Sequence, residues 1–267
     1  MIIGRLETWR MTRLCRVGVM ATALATGAAA CGGGSTESAA PAAPPPTVSP
    51  VDPATAGHVT GRIVFEGAPP KPTVLRMDSD PNCVQPGVTI TDEVVVVGDG
   101  GALQNVFVYV KDGLGDLRFP VPATPILLDQ KGCHYVPHVL GAQVGQRVEI
   151  LNSDPTLHNV HALPTANQEF NTGQPLPGMK HVHRFSTKEV MVPFKCDVHP
   201  WMHAYVCVLD HPYFAVSAAD GAFSLKGLPP GTYTVEAWHE TLGTATQTVT
   251  IGASETKEVA FGFKATT

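Results

Sequence analysis

Residues 181–210 read HVHRFSTKEVMVPFKCDVHPWMHAYVCVLD, and their pattern decides the fold. The order is strand, turn, strand, loop, strand, with β-branched and aromatic residues filling the strands. The connecting loop places Cys196, His199, Met202 and His203 within eight residues. Such a loop holds a metal, pairs a reactive thiol with an imidazole, or carries these side chains by chance. The surrounding chain has to separate those readings.

Outward from the loop, short strand-like runs recur from residue 57 to the end: GRIVF, EVVVV, NVFVYV, RVEIL, YVCVL, AFSLKG, TYTVEAW and TQTVTI. Glycine, proline and aspartate punctuate them, and no segment sustains a 3.6-residue apolar period. The sequence therefore predicts an all-β fold, a sandwich or Greek-key barrel.

The first residues have a different texture. Arg5, Arg10, Arg13 and Arg16 precede an apolar run of small residues, 17–30, too short to span a bilayer, that ends at Cys31. Ala28-Ala29-Ala30-Cys31 resembles a bacterial lipobox, which makes residues 1–31 a signal peptide with lipidation at Cys31. The alternative is an ordinary secretory signal cleaved near Ala30. Either reading places the chain in the periplasm or cell envelope, with the membrane reached through a lipid anchor only. Residues 32–56 are rich in Gly, Ser, Ala and Pro and predict a disordered linker. The formal net charge is −5, and residues 1–31 hold four of the basic groups against one acidic. The body is thus acidic, which argues against nucleic acid as a partner.

Beyond Cys31 the exported part has Cys83, Cys133, Cys196 and Cys207. In an oxidising compartment cysteines pair, and four allow three connectivities. If Cys196 is a metal ligand and Cys207 an inert thiol in an apolar strand, Cys83 and Cys133 remain as the disulfide.

Two resemblances organise these pieces. DGAFSLKGLPPGTYTV (220–235) resembles the carboxypeptidase regulatory-like domain, a small prealbumin-like β-sandwich; residues 57–70 and 102–113 look like its first strands. That implies a split sandwich, 57–115 and 210–267, around an inserted domain, 116–209. The inserted span resembles the cupredoxins, and its loops are similar to those of amicyanin and plastocyanin. The residues that carry this are P-x-x-L-x-x-x-x-G-x-x-V-x-x-x-N-x-D (137–154), His158-Asn159-Val160-His161, and Cys-x-x-His-Pro-x-Met (196–202).

The resemblance implies one type 1 copper held by His158, Cys196, His199 and Met202. The chemistry agrees: a thiolate and two imidazoles with a weak thioether form a site for copper in both oxidation states. Pro200 restricts the loop, and His158 ties a second strand to the site. Asn159 would present its N–H to the Cys196 sulfur, and Asn152 would brace the ligand loop. His199, flanked by Pro200 and Trp201, would protrude through an apolar patch as the electron's exit. Zinc, or a Cys–His nucleophile with its base, are the competing readings, and the methionine suits neither. His134, His138, His161, His181, His183, His203 and His211 read singly as surface or core histidines, although together they leave a second metal site conceivable; Met179 could compete for the axial position.

The expected function is single-electron transfer between periplasmic redox partners such as a c-type cytochrome, oxidase or dehydrogenase, with no bond-making chemistry and hence no enzyme. The alternatives are periplasmic copper storage or delivery, and a protein- or glycan-binding sandwich with a vestigial copper site.

Overall fold

The computed structural model describes Val48 and residues 51–265. The expected signal peptide with Cys31, and most of the expected linker, lie outside these residues. The linker's last residues are held in place. The Asp52 carbonyl accepts from the N–H groups of Thr55 and Ala56 at 3.2 and 3.0 Å, and Ser254 Oγ donates to the Ala54 carbonyl at 2.7 Å. The linker expected to run to residue 56 therefore gives way to built structure a few residues earlier.

Among the described residues the chain is all-β, with sixteen strands and two single-turn 3₁₀ helices. One pair of sheets takes its strands from both ends of the described chain. It contains β1 (Gly57–Glu66), β2 (Phe107–Asp112), β12 (Phe214–Val216), β13 (Ala222–Leu228), β14 (Gly231–His239), β15 (Gly243–Ile251) and β16 (Thr256–Lys264). The sheet orders are β13-β1-β16 and β12-β2-β14-β15. Val59, Ile63, Val108, Val110, Leu225, Tyr233, Val235 and Phe261 fill the space between them, as the period-two alternation requires.

The other pair holds the middle of the chain. Its first sheet is β4-β3-β6-β9, from β3 (Ile126–Gln130), β4 (Tyr135–Val136), β6 (Val148–Asn152) and β9 (Lys180–His183). Its second is β5-β11-β10-β7-β8, from β5 (Val139–Gln143), β7 (His158–Ala162), β8 (Phe170–Gln174), β10 (Glu189–Lys195) and β11 (His203–Leu209). Parallel pairs β3/β6 and β5/β11 interrupt the antiparallel order, because the connections cross between sheets.

A third apolar cluster joins the halves: Phe107 and Tyr109 of β2 meet Val139 of β5 and Cys207 and Leu209 of β11. The backbones approach so closely there that a Cβ on Gly141 would run into the rings of Phe214 and Phe107. Cys207 is fully buried, and burial pushes its thiol well above the ordinary range, leaving it chemically inert.

The structure departs from two expectations. EVVVV (93–97) is not a strand; only Val97 forms an isolated bridge, to Leu103. β-branched composition alone does not make a strand. Secondly, the segment around residues 75–90, expected with the regulatory-like sandwich, packs on the other half. Met77 and Cys83 lie in the same core cluster as Phe194, Cys196 and Met202, and a disulfide joins Cys83 to Cys133.

His211 sits where the halves meet, its ring between Phe119 and Tyr213 and its Nδ1 accepting the Tyr213 N–H at 3.2 Å. Burial lowers it from 6.5 to about 4, with Lys188 reinforcing and Asp210 opposing. Between those values the unfolded chain takes up a proton that the folded one refuses, so stability falls as pH drops from about 6.5 toward 4. Urea midpoints measured across this window should fall with pH, and His211→Asn should flatten the slope. An unchanged slope in the variant would assign the acid sensitivity elsewhere.

Candidate metal centre

β6 alternates strictly, with Val148, Ile150 and Asn152 facing inward. An inward amide must be hydrogen-bonded, and Asn152 is. Its Nδ2 donates to the carbonyls of Thr156 and Gln174 at 2.9 and 2.8 Å, and its Oδ1 accepts the Asp154 N–H at 2.9 Å. The loop from β6 to β7 is thereby shaped so that β7 begins with His158 buried. From the other side β10 delivers Cys196, and the turn after it closes through Met202 N–H to the His199 carbonyl and Cys196 N–H to the Met202 carbonyl, at 2.9 and 3.1 Å.

The result is convergence. His158 Nδ1 faces His199 Nδ1 at 2.9 Å, Cys196 Sγ lies 3.9 Å from His199 Nδ1, and the three donors lie within 4.8 Å of one another. All three side chains are buried, and Met202, also buried, belongs to the same core cluster as Cys196. The far nitrogens fix the tautomers. His158 Nε2 donates to Asp154 Oδ2 at 2.9 Å and His199 Nε2 to Asp80 Oδ2 at 3.2 Å, which leaves both Nδ1 atoms as lone pairs pointing inward. Two facing lone pairs repel unless a cation lies between them. A proton can serve: burial works against a charge on His158, but hydrogen bonds with Asp154 and Cys196 outweigh it and hold the imidazole at about 9. A metal ion is the other solution, and the donors suit one.

The surroundings of the sulfur favour its charged form. Burial raises the Cys196 thiol, but His158 and the backbone N–H groups of Asn159, His199 and Val198 more than offset this and lower it. The Asn159 N–H points at Sγ at 3.5 Å. The Asn159 side chain locks the loop, accepting the Asp197 N–H at 2.5 Å and donating to Asp197 Oδ2 at 3.0 Å. A thiolate with two imidazoles suits a soft or borderline transition ion rather than Mg²⁺ or Ca²⁺.

One expectation fails. His199 does not protrude through the surface; it is 2% exposed. Asp80 and the Cys83 sulfur, 3.2 and 3.7 Å from its Nε2, cover its outer edge, and Trp201 donates Nε1–H to the Cys133 carbonyl at 3.1 Å. Asp80 is itself held by the Thr156 hydroxyl at 2.5 Å, chiefly for which its carboxyl is lowered to about 2. The disulfide thus staples a cap over His199.

Asp154 and Asp80 are not among the residues that the sequence singles out. Asp154 is legible in principle as the last residue of N-x-D (152–154), four before His158. Asp80 carries no local signal. The remaining histidines divide. His161 is bound between Asp197 and Glu169 at 2.9 and 2.8 Å, and His181 and His183 stack on Phe170. His138 and His203 share one carboxylate, that of Glu240.

The sequence profile of the carboxypeptidase regulatory-like domain matches residues 199–264, beginning inside the metal loop. No curated protein sequence matches the chain. Among solved structures, the copper-containing nitrite reductase NirK of Thermus scotoductus SA-01 is similar at 20% identity, over 35% of this chain and 24% of that one, with a TM-score of 0.32. The chain thus spans about a quarter of that reductase. The Cu(I) form of an amicyanin mutant, with alanine in place of a methionine, is similar at 23% identity over 33% of this chain and 85% of that one, TM-score 0.29. A purple cupredoxin of Nitrosopumilus maritimus is similar at 25% identity over 32% and 98%, TM-score 0.27. The chain therefore carries a regulatory-like match over residues 199–264 and a partial likeness to copper proteins.

Proposed function

We propose that this chain is an exported type 1 copper protein that carries single electrons and makes no bonds. The observation that carries the reading is the convergence of two inward imidazole Nδ1 atoms and the Cys196 sulfur, which accepts the Asn159 N–H, in one buried site. His158, Cys196 and His199 would hold the ion, with Met202 as the fourth donor. Copper so held supplies a one-electron couple. The protein's part is to keep those donors still: Asp154 and Asp80 orient the imidazoles, Asn159 steadies the sulfur, and the core excludes water.

Cys31 would anchor the chain at the cell envelope, and no helix among the described residues is long and apolar enough to cross a membrane. A c-type cytochrome, oxidase or dehydrogenase would be the partner. Burial of every donor weighs against storage or delivery, in which the metal must leave, and the complete donor set weighs against a vestigial site.

The test is titration of the chain lacking residues 1–31 with Cu(II). An intense visible band should appear at one equivalent, bleach with ascorbate, and be absent from Cys196→Ser. Copper bound without that band would overturn the type 1 assignment. Rapid loss of the metal to a chelator would favour delivery.

A further inference from the structure

His138, His203 and Glu240 are far apart in sequence and belong to both halves of the fold. His138 immediately precedes β5, His203 opens β11, and Glu240 follows β14. Their side chains nevertheless meet: His138 Nε2 lies 2.5 Å from Glu240 Oε1, and His203 Nε2 lies 3.6 Å from Glu240 Oε2. The donor atoms fall within 4.8 Å of one another, and the two rings stand edge to face at 5.0 Å.

We propose that these three residues form a second metal site, for a divalent ion of the zinc class, bridging the two halves of the fold. Several features point to a built site. The His203 Nδ1–H donates to the Trp201 carbonyl at 3.1 Å, leaving Nε2 as the lone pair aimed at the carboxylate. A backbone carbonyl on the far nitrogen is how a ligating histidine is commonly oriented. The carboxylate is presented by a turn, in which His239 Nδ1 accepts the N–H groups of Thr241 and Leu242 at 3.2 and 3.3 Å. The His138 backbone is fixed by its carbonyl accepting the Tyr205 N–H at 2.9 Å.

Burial and access fit as well. The His138 and Glu240 side chains are 2% and 6% exposed, while that of His203 is 32% exposed, so the cluster reaches solvent on the His203 side. Two imidazoles and a carboxylate with no sulfur suit a divalent borderline ion, unlike the thiolate site. The neighbourhood is fixed by sequence: His203 directly follows Met202.

The competing explanation is a buried ion pair bracing the two halves. Zinc content after loading the full chain with Zn²⁺ and dialysis separates them. The wild type should retain an equivalent that Glu240→Gln and His203→Gln each lose, with affinity weaker by at least about tenfold. His158→Ala should keep that equivalent, so failure at the thiolate site is read separately. Partly exposed His203 gives a variant that folds even if Glu240→Gln does not. The proposal is overturned if no zinc is retained, or if zinc content and the zinc-induced rise in melting temperature are the same in both variants as in the wild type.

Discussion

Replacing Cys83 and Cys133 together by alanine should lower the free energy of unfolding by about 4 kcal/mol, the entropy of closing a loop of this length in the unfolded chain. The bridge spans a sequence separation of 50 and ties a segment with little regular structure to the turn between β3 and β4, in the sheet that packs against the one carrying the 196–202 loop. Beyond the entropy, both cysteines are buried and pack in the core with Met77 and Leu128. Urea melts of oxidised wild type, reduced wild type and the double variant give the measurement, the latter two converging. A loss under about 1 kcal/mol would mean that the bridge closes over a segment already ordered in the unfolded chain. The variant also tests the cap, because His199 should become accessible to a histidine-directed reagent in the absence of metal.

The second large effect is expected at Asp154. Its carboxylate accepts three hydrogen bonds, from His158 Nε2 at 2.9 Å, Cys133 N–H at 2.8 Å and Gly132 N–H at 2.7 Å. Gly132 and Cys133 both adopt positive φ, 64° and 57°, which turns their N–H groups toward one point. A cysteine holds such a backbone only where its surroundings oblige it. Asp154→Ala leaves those donors buried without an acceptor and should cost about 3 kcal/mol. It also frees the His158 ring to turn, so metal affinity should fall roughly 10- to 100-fold. Chemical melts and a competition titration read the two losses. A stability loss with unchanged affinity would show that the carboxylate serves the 132–133 turn and not the imidazole. Asp154 bonds to the backbone of Cys133, so its loss and that of the disulfide should not add.

The loop after β10 is readable because its chemistry is local: Cys196, His199 and Met202 follow one another at a spacing set by a single turn. His158 is readable because a second motif lies beside it. What covers the site is not. Asp80 reaches His199 only through a disulfide loop without any hydrophobic period, and nothing in residues 75–90 shows which half they pack against. Expecting the ligand histidine to emerge at the surface follows from the loop alone and fails for that reason. Glu240 is invisible for a related cause, since His138, just before β5, and His203, at the start of β11, approach it only once both halves are folded. EVVVV misleads in the opposite sense: strong β composition that ends in a single bridge, Val97 to Leu103.

β2 and β12 are hydrogen-bonded neighbours, with Tyr109 opposite Phe214. The chain that leaves the first sandwich after Asp112 therefore comes home beside the strand it left, as in a hairpin. Everything between, the metal loop included, is topologically the tip of that hairpin. Closing such a loop costs little more as it lengthens, about 0.6 kcal/mol per doubling, and less still when the excursion folds and holds its own ends together. The outer sandwich can consequently carry a passenger nearly its own size, and a short turn in its place would restore a continuous antiparallel ladder.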